Sequence, residues 1–234
     1  MRTSHLILFF MLAPLLPMAQ HLGYNQYELL SREQLKAAPG SLDNQYDDIK
    51  GTAFFSPQWL SAVAITARGV QYTGLKVRFD LYKNVFFANV HDTIYDLSAA
   101  GIVRFILYPL PADTSVSYVF QKGFSTGTIR PEQYIQVLVM GKLTFLKQPT
   151  LEVKEVNEDS FLAKVKKFVN QDYYYLVARD GQGEIVRLNK KTLEKEMADK
   201  WDAVTRYAKE KELSFNEEQG WIYIVKYYDS INKL

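Results

Sequence analysis

The sequence predicts a mainly β protein of the α+β class, in which an antiparallel sheet, wrapped or barrel-like, is followed by a hairpin and a C-terminal helical pair. Three observations predict this class. Apolar and charged residues alternate over residues 75–81, which is the period of a strand with one buried face. Turn residues recur about every eight to twelve residues between similar segments. From residue 192 onward, apolar residues follow the spacing of a helix instead.

An antiparallel β region is expected over residues 51–156. Lys83-Asn84 and His91-Asp92 are polar pairs between apolar segments, as is typical of hairpin turns. No helical pattern separates the segments, which argues against parallel βαβ units. The segments expected as strands are residues 75–81, 85–90, 93–97, 102–108, 116–120, 135–139 and 143–146.

Residues 157–234 are expected to hold one hairpin and two helices, packed either with the β region as one domain or as a second unit. The composition becomes charged and helical from residue 158. The hairpin would join residues 173–179 to residues 184–188 through a glycine-containing turn. Ser214, with Glu217 three residues later, is a capping-box pattern that predicts the start of the second helix. The first helix, over residues 192–211, would bury Leu193, Met197, Trp201, Val204 and Ala208.

Residues 1–19 have the pattern of a secretory signal peptide. Arg2 is positively charged, residues 6–16 are uninterruptedly apolar, and Ala19 precedes Gln20, as at a signal-peptidase site. The apolar run is shorter than the roughly 20 residues that cross a bilayer. We therefore expect cleavage after Ala19 and a periplasmic or secreted protein that is not embedded in the membrane.

Residues 20–50 are polar and mixed, and are expected to form a lead-in segment rather than a domain. Within this segment, residues 27–38 are expected to form one short helix. Pro39-Gly40 would end that helix, because proline and glycine both favour helix termination.

The composition excludes several kinds of chemistry. The formal net charge is +2, which gives no electrostatic reason to expect a nucleic-acid partner. The chain has no cysteine, so it has no disulfide, thiolate metal site, thiol nucleophile or lipidated N-terminal cysteine. Aromatic residues make up 14% of the chain. Packing, with a large aromatic share, must therefore stabilise the fold without covalent links.

Four segments carry a resemblance to a known group of proteins: GTAFFSPQWL at residues 51–60, LKVRFDLYKNVFF at 75–87, YYYLVARDG at 173–181 and IVKYYDSINK at 224–233. In these segments the chain resembles uncharacterised exported tyrosine-rich β proteins of the kind common in Bacteroidota. The resemblance implies a signal peptide, a tyrosine-rich β region and a charged helical tail. That group has no assigned chemistry, so the resemblance transfers no functional residue.

Residues 123–127 match G-x-S-x-G, the nucleophile-elbow pattern of α/β-hydrolases. The mechanism needs a helix after Ser125 and a histidine later in the chain. Pro131 interrupts any helix there, and all three histidines of the chain precede Ser125. We therefore expect a glycine-rich loop with left-handed backbone rather than a nucleophile.

No metal centre, cofactor or catalytic residue is expected. His91 lies beside Asp92 in a predicted turn, whereas a zinc or manganese site needs three or four converging ligands. Glycoside hydrolysis needs two carboxylates across one cleft, and spacing alone brings no such pair together. The carboxylates considered for that role are Asp80, Asp92, Asp96 and Asp113.

Tyr173-Tyr174-Tyr175 is the most unusual feature of the sequence. Consecutive strand residues point to opposite faces, so at least one of these rings is expected to point away from the core. Exposed tyrosines can stack on sugars or anchor a protein partner. The three residues are therefore the candidate aromatic binding surface, and the same reasoning extends to Tyr82, Phe86 and Tyr95.

The residues favour a non-catalytic binding or scaffolding module of the cell envelope, with an envelope protein or a glycan as partner. Two alternatives stay open. A wrapped sheet could carry a small apolar ligand, and paired carboxylates could support a hydrolase. The pocket of a carrier would be lined by Phe79, Phe86, Phe105 and Val137.

Overall fold

The computed structural model describes residues 23–25, 28, 35–38, 42–110, 113–157, 164–178, 181 and 183–232. The predicted signal peptide lies outside these residues. Among them, twelve strands form one sheet: β1 Gly23–Asn25, β2 Ile49–Lys50, β3 Leu60–Thr66, β4 Gln71–Asp80, β5 Val85–Val90, β6 Thr93–Asp96, β7 Ile102–Tyr108, β8 Tyr118–Gln121, β9 Ile135–Val139, β10 Thr144–Asn157, β11 Lys164–Val177 and β12 Gly183–Val186. The helices are α1 Lys190–Glu196, α2 Trp201–Glu210 and α3 Glu218–Ile231, with 3-10 helices at Leu42–Tyr46 and Ala198–Lys200.

The strand order is β12-β11-β10-β9-β8-β7-β3-β4-β5-β6, and neighbours along this path are antiparallel. Two short strands add parallel pairings, β1 with β4 and β2 with β11. The predicted mainly β class with C-terminal helices is confirmed. Within the described part of the chain, β12 and β6 do not pair with each other, so the sheet is not closed and the barrel-like arrangement does not form.

Aromatic rings fill the core of the N-terminal half of the sheet. The alternation predicted for residues 75–81 places Phe79 inward, directly opposite Phe86 of β5. The two rings stack with centroids 4.3 Å apart, and Phe86 stacks in turn on Phe105 at 3.9 Å. Phe120 and Tyr134 pack against the same rings. Such ring pairs stabilise a core by about 0.5–1.5 kcal/mol each beyond the area that they bury.

The two predicted hairpin turns in this half are both confirmed. Asn84 has φ of 57°, and His91 and Asp92 have φ of 49° and 62°, the left-handed backbone that tight hairpins require. Asn84 also bonds through its side chain to the backbone N–H and C=O of Tyr134, at 2.7 and 3.0 Å. This turn therefore fixes the loop that leads into β9.

The three helices pack on one face of the C-terminal half of the sheet. Four of the five predicted core positions, Leu193, Met197, Val204 and Ala208, are buried there with Trp221. The predicted single helix over residues 192–211 is wrong in one respect. The α-helix ends at Glu196 and resumes at Trp201, and Ala198–Lys200 between them form a 3-10 helix. Tertiary packing therefore overrides the continuous α-helical pattern at that point.

The second of the two predicted helices corresponds to α3, and it begins later than its capping-box pattern indicates. The Ser214 hydroxyl accepts a bond from the N–H of Asn216 at 3.2 Å, and the N-cap residue is Glu217. Gly220 packs directly against the Ser214 carbonyl, where a Cβ would lie 1.9 Å from the oxygen. Since only glycine permits this approach, residues before the helix fold back onto its first turn instead of capping it.

The long β10–β11 hairpin was only partly predicted. Its strands have fourteen residues each and pair from Thr144↔Val177 to Asn157↔Lys164. We call residues 144–148 and 173–177 the base, and residues 149–157 and 164–172 the arm. The sequence predicts strands for most of the base, but the expectation of helical character after residue 158 is wrong for the arm. The hairpin also joins the predicted β region to the C-terminal region in one sheet.

The lead-in segment is part of the fold. The N–H of Ala38 donates to the Ile94 carbonyl at 2.7 Å, so the described end of the predicted helix over residues 27–38 is extended beside β6. The rest of that predicted helix, apart from Glu28, lies outside the described residues. Leu42, on the first 3-10 helix, is buried against Phe54 and Phe87.

Candidate functional site

The three consecutive tyrosines of β11 do not form one exposed surface. Tyr175 is 0% exposed, and its hydroxyl donates to Gln148 Oε1 at 2.8 Å and lies 2.7 Å from Thr128 Oγ1. Tyr173 and Tyr174 are half-buried on opposite faces of the strand. The predicted alternation therefore holds, but the outward face is itself covered by neighbouring structure.

Tyr174 belongs to a partly buried ionic cluster at the base of the hairpin. Its hydroxyl donates to Glu218 Oε2 at 2.8 Å, and its ring stacks on Phe145 at 5.8 Å. Lys147 Nζ lies 2.9 Å from both Glu218 Oε2 and Asp172 Oδ2. Burial, and then the bond to Glu218, raise the pKa of Tyr174 to about 12. The cluster ties the first turn of α3 to the sheet, because Glu218 begins that helix.

The G-x-S-x-G segment forms the loop that its glycines predict. Gly123 and Gly127 have φ of 97° and 57°, and the next element of the described chain is the strand β9, not a helix. A Cβ at Gly127 would lie 3.2 Å from the Tyr175 ring. Gly127 therefore allows the loop to pack closely on β11, and Gly123 supplies a left-handed backbone position.

The four carboxylates considered for catalysis have separate local roles. Asp80 is fully buried, Asp96 accepts a bond from the N–H of Ser98, and Asp113 accepts one from the N–H of Ser115. Asp92 lies in the β5–β6 turn. Among the described residues, no three His, Cys, Asp or Glu side chains are grouped as a metal site would need.

The side chains expected to line a carrier pocket pack against one another. Phe79, Phe86 and Phe105 are in ring-to-ring contact, which leaves no room for a ligand between them. Val137 belongs to a different cluster, around Ile135 and Tyr175. These four residues therefore do not line one interior.

A different aromatic group reaches the surface where the lead-in segment, the β4–β5 turn and the hairpin arm meet. Its members are Tyr46, Tyr82 and Phe168, which we call the aromatic junction. Tyr82 packs edge-on against Tyr46 at 6.0 Å and against Phe168 at 5.5 Å, and Tyr46 contacts Phe168 at 5.3 Å. Phe168 is buried, whereas Tyr82 is 48% exposed. The two inner rings therefore hold the outer ring in a fixed orientation at the surface.

A buried carboxylate anchors this junction to the core. The Tyr46 hydroxyl donates to Asp80 Oδ2 at 2.6 Å, and the N–H of Lys83 donates to Asp80 Oδ1 at 2.8 Å. Burial, together with the bond to Asp80, raises the pKa of Tyr46 well above its usual value. Tyr46 thus remains a neutral donor, and the bond fixes the 3-10 helix of the lead-in to the end of β4.

Polar side chains surround the exposed face of the junction. Lys83 Nζ lies 5.2 Å from the centre of the Tyr46 ring and donates to Gln45 Oε1 at 2.7 Å. Asp48 pairs with Lys166 of the arm at 2.7 Å. The pairing holds the pKa of Asp48 below its usual value through the bond and the charge of Lys166. The junction therefore combines a fixed aromatic ring with a cation, an amide and an ion pair.

Sequence reasoning named only one member of this group, Tyr82. Tyr46 and Phe168 lie far apart in the chain, in a segment expected as lead-in and in one expected as helical. The alternation of β4 carried the one available signal, because Tyr82 falls on the same side of that pattern as Asp80, away from Phe79. The remaining contacts depend on tertiary packing.

No family model, curated protein or solved structure matches this chain. Among the described residues, none of the helices has both the length and the apolar character needed to cross a bilayer.

Proposed function

We propose that this protein is an exported, non-catalytic binding module of the cell envelope, and that the aromatic junction contacts its partner. The observation that carries the proposal is Tyr82, a large ring that stands 48% exposed at the surface while Tyr46 and Phe168 hold it in place. A ring fixed in this way loses little conformational entropy on binding. Fixed tyrosines with one solvent-facing side are typical anchors in recognition surfaces.

The surroundings of Tyr82 favour a glycan over a purely apolar partner. A sugar ring offers apolar C–H groups on its faces and hydroxyl groups around its edge. The exposed Tyr82 ring can accept the face, and Lys83, Gln45 and Asp48 supply donors and acceptors beside it. An envelope protein is the other partner class, and the experiment below separates the two.

The packing of the interior supports binding at the surface rather than carriage of an apolar ligand. The N-terminal core consists of aromatic rings in contact, from Phe79 through Phe86 to Phe105. The hydrolase alternative needs two convergent acids, and Asp80 uses both carboxylate oxygens for structural bonds.

The test is a binding assay with three matched variants. Full-length mature protein is incubated with purified peptidoglycan sacculi and titrated with oligosaccharides of N-acetylglucosamine, glucose and mannose. Tyr82→Ala should weaken binding about tenfold or more, the loss expected for a central aromatic anchor. Tyr82→Phe keeps the ring and should bind nearly as well as the wild type. Tyr223→Ala removes a tyrosine of similar exposure, 45%, on α3 and should have no effect.

Equal binding by the wild type and Tyr82→Ala would overturn the role of the junction. If no saccharide binds, but an envelope protein is cross-linked in a manner that Tyr82→Ala abolishes, the partner is a protein and the glycan assignment is wrong.

Export is tested independently of the partner. Mass spectrometry of the protein recovered from the periplasm or medium should find Gln20 as the first residue. An intact Met1 in that fraction would contradict the predicted signal peptide.

A further inference from the structure

The outer edge of the hairpin arm is a long strand edge without a neighbour in the sheet. β9 pairs with β10 only as far as Lys147. Among the described residues, no strand pairs with β10 on that side from residue 148 to Asn157, where its only partner is β11 on the other side. Such edges offer a row of backbone donors and acceptors to another strand. Pro149 is buried and has no N–H to donate, so residues 150–157 form the unpaired ladder.

Charges along this edge are arranged symmetrically about one residue. Val153 is the central residue of the stretch 150–156, and Glu152 and Lys154 lie on either side of it. In an antiparallel pair centred on Val153, residue 152 of each strand faces residue 154 of the other. Glu152 of each copy would then lie directly opposite Lys154 of the other copy. Opposite charges in that position stabilise a strand pair, whereas like charges destabilise it.

We infer that β10 pairs with β10 of a second copy about a two-fold axis at Val153, which joins the two sheets edge to edge. A two-fold axis perpendicular to a sheet generates antiparallel neighbours whose side chains share a face, and an interface of this kind is self-complementary. The charge pattern sets the position of the axis, and an axis there keeps the pairing within residues 150–156 of the free edge. Glu152 and Lys154 are about half exposed and form an ion pair with each other at 3.1 Å, so both are accessible to a second strand.

The geometry also leaves room for the existing neighbour β9. With the axis at Val153, the pairing runs from residue 150 opposite residue 156 of the other copy and ends before the buried Pro149. The second copy thus occupies the edge beyond the point where β9 stops, at Lys147. Val153 of the two copies meet at the axis, and Thr150 faces Val156 of the second copy. Leu151 faces Glu155, whose carboxylate is held by Lys164 at 3.5 Å.

The test is a charge-swap experiment on the full mature chain, read by sedimentation velocity over a concentration series. The wild type should form a reversible dimer. Glu152→Lys places lysine opposite lysine, and Lys154→Glu places glutamate opposite glutamate, so each variant alone should self-associate at least about tenfold more weakly. A one-to-one mixture of the two variants restores both opposite-charge pairs and should form the mixed dimer. The double variant Glu152→Lys with Lys154→Glu should dimerise like the wild type.

Two controls separate this effect from misfolding and from general charge. Circular dichroism and thermal unfolding should show all variants folded, since the substituted side chains are exposed. Lys209→Glu changes an exposed charge on α2 and should leave the dimer unchanged. A wild type that stays monomeric at every concentration would overturn the inference, as would a mixture that fails to restore association. Tyr82→Ala should dimerise normally, so failure of the proposed binding site and failure of the dimer are distinguishable.

Discussion

The base and the arm of the β10–β11 hairpin are built from the same two strands, yet they lie in opposite environments. In the base, Phe145 is fully buried against Tyr174 and Trp221 under the helices. In the arm, both faces are largely exposed, and the buried residues are Pro149, next to the base, and Phe168. The backbone ladder is continuous through both regions. Backbone pairing therefore extends well beyond the part of the hairpin that side-chain burial stabilises.

The contrast extends to the charges. Lys147 of the base is mostly buried and makes two carboxylate contacts at 2.9 Å. Lys164 of the arm is 68% exposed and contacts Glu155 at 3.5 Å. Exposed ion pairs contribute about 0–1 kcal/mol, since water screens them. Replacement of Lys147 is thus expected to change the free energy of unfolding much more than replacement of Lys164.

The largest expected difference concerns apolar side chains. Phe145→Ala should lower the free energy of unfolding by about 3–5 kcal/mol, because it leaves a cavity in a packed core. Val169→Ala in the half-exposed arm should cost under about 1 kcal/mol. Urea denaturation followed by circular dichroism measures both. Equal losses would mean that the arm is as tightly packed as the base.

A smaller difference is expected for the two lysines. Lys147→Met should cost about 1–3 kcal/mol, since it leaves Glu218 and Asp172 half-buried without their cation. Lys164→Met should change stability by under about 0.5 kcal/mol. The same denaturation assay applies, and added salt should reduce the effect of Lys164 more than that of Lys147. A neutral Lys147→Met would show that the cluster does not hold α3 on the sheet.

The smallest effect is a dependence of stability on alkaline pH in the base. The pKa of Tyr174 rises from 10.0 to about 12 through burial and its bond to Glu218. The folded state thus keeps a proton that the unfolded state loses, so this contribution is complete below pH 10 and is lost as pH rises from 10 to about 12. Tyr174→Phe should flatten the fall of unfolding free energy in that interval relative to the wild type. Identical pH profiles for the two proteins would contradict the raised pKa of Tyr174.

The sequence was informative where one face of an element is buried. The alternation of β4 correctly placed Phe79 in the core, and the spacing of Leu193 and Val204 correctly predicted a buried helix face, because burial of one face gives a sequence its period. The alternation was wrong about the other face at the end of β4, since the charged residues Arg78 and Asp80 are also buried. The arm shows the reverse. With water on both faces, Lys164 and its neighbours carry a charged composition that is typical of a helix or a loop, and the strand was missed.

The candidate site was predictable only in part, for a similar reason. Tyr82 is a ring at a turn, which a single strand pattern can indicate. Its partners Tyr46 and Phe168 come from segments more than thirty and eighty positions away, and no local period relates them. The tyrosine triplet was the stronger local signal, yet Tyr175 is buried because the loop at Gly127 packs on its ring.

The sequence by itself determined the β-rich class, the hairpin turns, the inward faces of the main strands and the two apolar helix faces, because each depends on a pattern within a few residues. The tertiary structure alone decided that the sheet stays open, that β10 and β11 extend into an arm, and that distant rings meet around Tyr82. Those outcomes depend on which surfaces find partners across the chain. Such pairings are set by packing between segments rather than by the preferences of any one segment.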